Sequence, residues 1–325
     1  MTSNYIDITS PYFDPTVNCT IGTCPIQYAE VQYVPSLAGN VLYAAIFGLF
    51  LVCHVVLAII YKTWSYNFAM ACGLILEIIG YVERVQMHAN PFKSDPFVIY
   101  LVTVTIAPAF FTAAIYLCFS RVVVYYGAKV ARFSTKLYTL AFITSDLLAL
   151  ILQAAGGALA DGADTQLEQD HGVDIMIAGL AWQVFSLMVF VVLCLEFRSQ
   201  ATRAVKEGRI LGSASNGLRQ RMKLFLIAMG SSVVLIFIRS IFRCAELSKG
   251  FNSPIANDEV SYMILEGAMM VLATGVMTIF HPGLVFRGAW SNSGWSFGKK
   301  KGLKSSSGSG SGSDSSTEVS LSTKT

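Results

Sequence analysis

Seven stretches of this sequence are long and apolar enough to read as membrane-crossing helices: Leu37–Tyr61, Tyr66–Met87, Phe97–Tyr126, Leu137–Ala160, Val173–Leu195, Met222–Leu247 and Val260–His281. A helix rises about 1.5 Å per residue, so roughly 20 residues cross a hydrocarbon layer of about 30 Å. That layer holds no water for backbone N–H and C=O groups, so only helices and closed barrels span it. The short alternating strands of a barrel are not visible here. Composition points the same way. Hydrophobic residues make up 54% of the chain, charged residues 13%, and mean hydropathy is +0.57, whereas a soluble domain is about a quarter charged. The expected fold class is all-α, a polytopic bundle of seven transmembrane helices, with the second and sixth stretches the least apolar.

Loop charge orients this bundle. The loops after odd-numbered stretches hold Lys62, then Lys129, Arg132 and Lys136, then Arg198, Arg203, Lys206, Arg209, Arg219, Arg221 and Lys223. The opposite loops hold only Lys93 and Lys249 among Asp95, Asp161, Asp164, Glu168, Asp170, Asp258 and Glu259. Basic residues collect on the cytosolic side, which puts the N-terminus outside and the C-terminus in the cytosol. Three parts follow: an extracytoplasmic segment over 1–36, a membrane part over 37–283, and a cytosolic tail over 284–325. The tail is Ser/Gly-rich from about Ser305 and is expected to be disordered.

Met1–Ser36 carries no Lys or Arg and lacks the basic start and apolar core of a cleavable signal, so the first span is read as an uncleaved anchor. Asn18-Cys19-Thr20 is an N-glycosylation sequon, meaningful because the topology places it outside. Cys19 and Cys24 are spaced for a small disulfide loop in an oxidising compartment, with two free thiols as the alternative. Tyr61, Trp64, Tyr66, Tyr125 and Tyr126 fall where interfacial aromatics belong. Cys53, Cys72, Cys118, Cys194 and Cys244 lie inside spans, where thiols behave as small hydrophobes. Lys299, Lys300, Lys301 and Lys304 read as a stop-transfer flank or as a contact for anionic head groups.

Ionisable residues at membrane depth are costly, so they face an interior or a wet cavity and pair there. Glu77, Tyr81 and Arg84 share one face of the second span at i, i+4, i+7, with Glu83 beside them. Arg239, Arg243 and Glu246 repeat that spacing in the sixth. The fourth aligns Asp146, Gln153 and Gly157, with Ala154 to Gly157 permitting close helix approach. The seventh adds Glu266. By rise per residue, Asp146 lies deeper and all the rest but Glu77, near mid-membrane, lie in the outer half. The pattern suggests a polar cavity open outward and narrowing toward Asp146. Two readings stay open: structural ion pairs without a ligand, or a cationic ligand that answers an excess of acids over bases.

Catalytic signatures are missing. There is no Gly-x-x-x-x-Gly-Lys-Ser/Thr stretch for ATP and no Gly-x-Ser-x-Gly elbow, and the four histidines do not supply several zinc ligands at one depth. No enzyme activity, cofactor, metal or nucleic-acid partner is expected. His54, the lone candidate axial ligand for a porphyrin, reads better as a hydrogen-bonded packing residue.

Four motifs in order, Glu77-Ile-Ile-Gly-Tyr-Val-Glu-Arg84, Asp146 with Gln153-Ala-Ala-Gly-Gly157, Arg239-Ser-Ile-Phe-Arg243-Cys-Ala-Glu246 and His281-Pro-Gly283, resemble the fungal lipid-translocating exporter family. The resemblance covers about Leu37 to Gly283. It implies a seven-helix plasma-membrane protein, reached through the secretory pathway, that moves amphipathic lipids or lipid-like toxins and confers tolerance to them. A sphingoid long-chain base is the leading substrate, and membrane lipids are the partners. The motif positions Glu77, Arg84, Asp146, Gln153, Arg239, Arg243 and Glu246 carry over as candidate functional residues, with Tyr81 and Glu266 added from burial and spacing. A lipid sensor or receptor is the alternative, although the third span ends in Ser120-Arg121-Val122 and the seventh lacks Asn-Pro-x-x-Tyr, so receptor signatures are missing.

Overall fold

The computed structural model describes residues 16, 19–29, 31–126, 135–163, 165–206, 216–249, 253–254 and 256–286. The chain separates into two units, Met1–Ser293 and Gly294–Thr325. Asn18, the Lys299–Lys304 cluster, the serine-rich tail and the side chains of Tyr125 and Tyr126 lie outside the described residues.

Every long element among the described residues is helical. Helices α1 (Leu37–Tyr61), α2 (Trp64–Ala89), α3 (Ser94–Tyr126), α4 (Thr135–Asp161), α5 (Gln166–Lys206) and α6 (Asn216–Ser248) precede a composite α7. α7 runs as Glu259–Tyr262, a π-helical stretch Met263–Ala268, and Met269–Ile279; a short α8 follows at Pro282–Phe286. All the long helices but α2 are long and apolar enough to cross a membrane, and the protein is a polytopic membrane protein. α2 carries Glu77, Glu83 and Arg84, the first and last of them buried. Apart from α1, the long helices α2 to α6 outrun the apolar stretches of the sequence, α5 most of all. Its 41 residues make a rod of roughly 60 Å, about twice the hydrocarbon thickness, because helix propensity continues where hydropathy stops.

α1 begins at Ser36, whose hydroxyl accepts from the Gly39 N–H at 3.4 Å, and ends at Lys62, which adopts φ 54°. That left-handed residue returns its own N–H to the Ala58 carbonyl at 2.9 Å, closing the helix so that α2 starts two residues later. Burial ranks the helices. Only Asn40, Phe47, His54 and Ala58 of α1 are buried, whereas much of α3 is, so α1 lies at the outside and α3 is the central post. Phe47, Leu74, Phe111, Ile115, Phe190 and Phe225 fill the core around it. Tyr66, read from sequence as an interfacial anchor, is fully buried, with its hydroxyl 3.4 Å from the Met277 carbonyl, whereas Trp64 is 63% exposed.

Glycines bring α4 and α5 together backbone to backbone. A Cβ on Gly156 would stand 2.5 Å from the Met176 nitrogen, and one on Gly179 would stand 2.8 Å from the Ala149 carbonyl oxygen. Gly157, expected to share this role, faces open space.

The segment before α1 ties the ends of three helices. Cys19 and Cys24 are joined by a disulfide, and the loop packs on Phe92. The Gln32 N–H donates to Asn257 at 2.8 Å, the Ser36 N–H to Glu259 at 2.5 Å, and His88 donates to the Pro35 carbonyl at 2.7 Å. Nearby, Asp258 caps α7, and the Ser261 hydroxyl at 2.5 Å with the Val260 N–H at 3.2 Å holds its carboxyl below the usual range.

A buried network of arginines, glutamates and tyrosines

The site starts from a proline. Pro108 lies inside α3 and has no N–H to return to the carbonyl four residues earlier. That carbonyl belongs to Val104, and the Arg239 Nη2 donates to it at 2.7 Å. The same guanidinium donates through Nε to Glu266 Oε1 at 2.8 Å and through Nη2 to the same oxygen. Exposures of 1% and 0% make this a salt bridge sealed from solvent. One turn along α6, Arg243 pairs with Glu246 at 2.7 Å and reaches the Thr105 hydroxyl at 3.4 Å. Glu266 stands in the π-helical stretch, where Tyr43 donates to the Met263 carbonyl at 2.8 Å and Gly267 lets the ring of Tyr43 and the hydroxyl of Tyr81 close in. Such bulges re-aim side chains and gather at functional sites.

Arg84 has no carboxylate hydrogen-bonded to it among the described residues. Its Nε donates to Asn40 at 3.1 Å and its Nη2 to the Tyr33 hydroxyl at 2.9 Å. Its charge sits 3.9 Å from the centre of the Tyr262 ring, 5.0 Å from Tyr100 and 5.8 Å from Tyr33. Stacked cations of this kind gain about 2 kcal/mol or more when desolvated. Burial pushes the Tyr33 phenol up to about 12, against the opposing pull of Arg84.

Glu77 is the odd member. It is fully buried, and among the described residues neither of its oxygens has a hydrogen-bond partner. The Tyr81 and Tyr262 hydroxyls, Arg84 Nη1, Arg243 Nε and Glu266 Oε2 are also without one. Buried polar atoms are normally satisfied, so this concentration of orphans leaves donors and acceptors of one network open to hydrogen bonding.

Asp146 belongs elsewhere. Its Oδ2 accepts from Thr112 and Tyr116 of α3, each at 3.0 Å, and beyond it Gln153 of α4 donates to Gln183 of α5 at 3.0 Å. Thr112 lies seven residues past Thr105, so Asp146 sits about 10 Å along α3 from the arginines. The expected single chamber is thus two centres, and the arginines do not neutralise Asp146. The arginines and glutamates of the first centre are 0–6% exposed, so the cavity expected to open outward is closed here by protein.

A third polar knot fixes α1, α2 and α7 and is fully paired. Asn67 Oδ1 accepts from His54 at 2.9 Å and from His281 at 3.2 Å, while His54 also meets Thr278 at 3.1 Å. His281 Nδ1 accepts the Gly283 N–H at 3.1 Å. This is the packing role read for His54, and it explains His281-Pro-Gly as a helix break. Tyr33, Asn40, Tyr43, Tyr100, Thr112, Tyr116 and Tyr262 escaped the sequence reading. Their one signal was polar groups placed within or beside apolar stretches.

The family described as RTA1 like protein matches residues 70–289. The chain belongs to this family. The match takes in Glu77, Arg84, Asp146, the α6 stripe and Glu266, and leaves out Tyr33, Asn40 and the disulfide loop. The RTA1-like chain is 31% identical over 282 residues to the sphingoid long-chain base transporter RSB1 of Saccharomyces cerevisiae (strain Lalvin EC1118), covering 78% of this chain and 74% of that protein. It is 25% identical over 290 residues to the probable lipid transporter atnI of Emericella nidulans, covering 82% and 74%. It is 30% identical over 219 residues to Protein RTM1 of Saccharomyces cerevisiae, covering 67% and 68%. No solved structure matches. The RTA1-like relatives agree with the fungal lipid-translocating exporter family to which the motifs pointed.

Proposed function

We propose that this protein translocates amphipathic lipids between the leaflets of the plasma membrane without ATP, with long-chain sphingoid bases as the leading substrate class. Seven spans cross the bilayer, α2 among them, with the N-terminus outside. The charged face of α2 supports that count, because Glu77, Tyr81 and Arg84 turn inward while Ile75, Ile79 and Val82 remain exposed for lipid. The observation that carries the reading is the buried network of arginine, glutamate and tyrosine with unsatisfied polar atoms, enclosed in an apolar bundle whose relatives are named lipid transporters.

The mechanism follows from where polarity lies. A headgroup entering sideways exchanges water for the acceptors and donors of the first centre while its tail stays in lipid. About 10 Å further along α3, Asp146 with the Thr112 and Tyr116 hydroxyls offers a second resting place. Two polar stations joined by one helix lower the cost of crossing, and no open pore is needed.

Purified protein in nucleotide-free liposomes, given a panel of labelled sphingoid bases, sterols and porphyrins, tests this. Accelerated flip of the bases is expected, and Asp146→Asn and Arg243→Ala should abolish it while the protein still inserts. Binding without faster flip would instead make the protein a lipid sensor.

A further inference from the structure

Glu77 is buried, yet no residue among those described forms a hydrogen bond or ion pair with its carboxyl group. The charged groups facing it are Glu266 and Arg239. Arg239 is already engaged by Glu266 Oε1 and the carbonyl that Pro108 releases. Arg84, two turns along the same helix, is held by Asn40, Tyr33 and the Tyr262 ring. Arg243 is paired with Glu246. What remains around Glu77 is rich in acceptors: its own two oxygens, Glu266 Oε2 and the Tyr81 hydroxyl, all buried and all without partners among the described residues. The Tyr81 hydroxyl is pressed against α7, where a Cβ on Gly267 would stand 2.8 Å from it, beside Glu266.

We infer that Glu77, Glu266 and Tyr81 form a recognition site for a primary ammonium group, and that Glu77 selects amphipaths carrying one. This rests on the lipid-translocation reading and specifies its substrate. A primary ammonium has one positive charge and three N–H donors, which matches a carboxylate, a second carboxylate oxygen and a phenolic oxygen. An N-acylated amine has no charge and a single N–H. A quaternary ammonium keeps the charge but has no N–H to give. Both leave the acceptors of this site unsatisfied, and a site built to hydrogen-bond discriminates most strongly against analogues that cannot. The carboxylates of Glu246 and Glu266, the obvious partners for a cation from sequence, are drawn toward arginines, which leaves Glu77 as the selective element.

Full-length protein in nanodiscs is titrated with a long-chain base labelled at its tail end, and with its N-acetyl and N-trimethyl counterparts. The wild type is expected to bind the primary amine about tenfold to a hundredfold more tightly than either. Glu77→Gln, which keeps the side-chain volume, should bring the primary amine down to the N-acetyl level without moving N-acetyl binding, and Glu77→Asp should recover part of the preference. Unchanged preference in Glu77→Gln overturns the inference. So does a Glu77-dependent gain in melting temperature when sodium replaces choline in lipid-free buffer, since the occupant is then an inorganic cation. Equal affinity for all three amphipaths with flip intact removes only this assignment. Absence of flip for every amphipath removes the translocation reading beneath it.

Discussion

Replacing Arg239 by methionine keeps most of the side-chain volume and deletes a buried charge, and the loss can be worked from its contacts. Two hydrogen bonds to Glu266 disappear, and a carboxylate at 0% exposure is left without its cation. Breaking a buried pair in this one-sided way costs about 3–5 kcal/mol. The Val104 carbonyl also loses its donor, and Pro108 prevents the helix from taking that carbonyl back, adding about 1–3 kcal/mol. A total of roughly 4–8 kcal/mol is a large share of the stability of an ordinary fold. Glu266→Gln alone strands the guanidinium and should cost nearly as much as the salt bridge. The double variant Arg239→Met/Glu266→Gln removes both charges, so only the carbonyl term should persist and the cycle should show a coupling of at least about 2 kcal/mol. Unfolding by SDS titration in mixed micelles, followed by tryptophan fluorescence, measures each member. Single variants within about 1 kcal/mol of wild type, or an additive cycle, would refute the claim that this pair is sealed and shared with the proline-freed carbonyl.

Pro108→Ala restores the missing helical hydrogen bond, so α3 should gain stability by up to about 3 kcal/mol while flip slows because Val104 no longer holds Arg239; unchanged flip would count against that anchoring. Tyr33 is held above its ordinary value of about 10, up to about 12. Its stabilising contribution is therefore complete below about pH 10 and is lost as pH climbs through 12. The 295 nm difference between wild type and Tyr33→Phe should step near pH 12, and a step near 10 would contradict the burial of the phenol. Cys19→Ser with Cys24→Ser opens a loop of sequence separation 5, worth about 2 kcal/mol in the loop-entropy account; amide exchange over residues 19–36 should accelerate while α3 stays protected. Gly156→Ala drives a methyl onto the Met176 backbone and should cost about 1–3 kcal/mol, read by the same SDS titration.

The bundle was legible because hydropathy writes helices directly. The bounds of α1 match the apolar stretch residue for residue, and burial of Glu77, Arg84, Asp146, Gln153, Arg239, Arg243, Glu246 and Glu266 follows from the cost of charge in hydrocarbon. Arg243–Glu246 was also within reach, since i, i+3 neighbours share a helix face. Pairing across helices was not. Nothing local in the sequence says that Arg239 meets Glu266, that Asp146 settles for hydroxyls, or that Arg84 is caged by tyrosines from three other segments. The π-helical stretch was equally hidden, because its wider turn, which packs against Tyr43 and Tyr81, leaves no mark on hydropathy.

The glycine seam between α4 and α5 has a mechanical consequence. Two helices welded through their main chains cannot slide or part without breaking backbone contacts along Gly156 and Gly179, so they travel as one rigid block. Asp146 rides on that block, while Thr112 and Tyr116 stay with the central post. In the proposed translocation, the fault line between block and post would run through those two hydroxyl bonds and the Tyr116 ring contacts beside them, and a lipid crossing there would find Asp146 released as the gap widened.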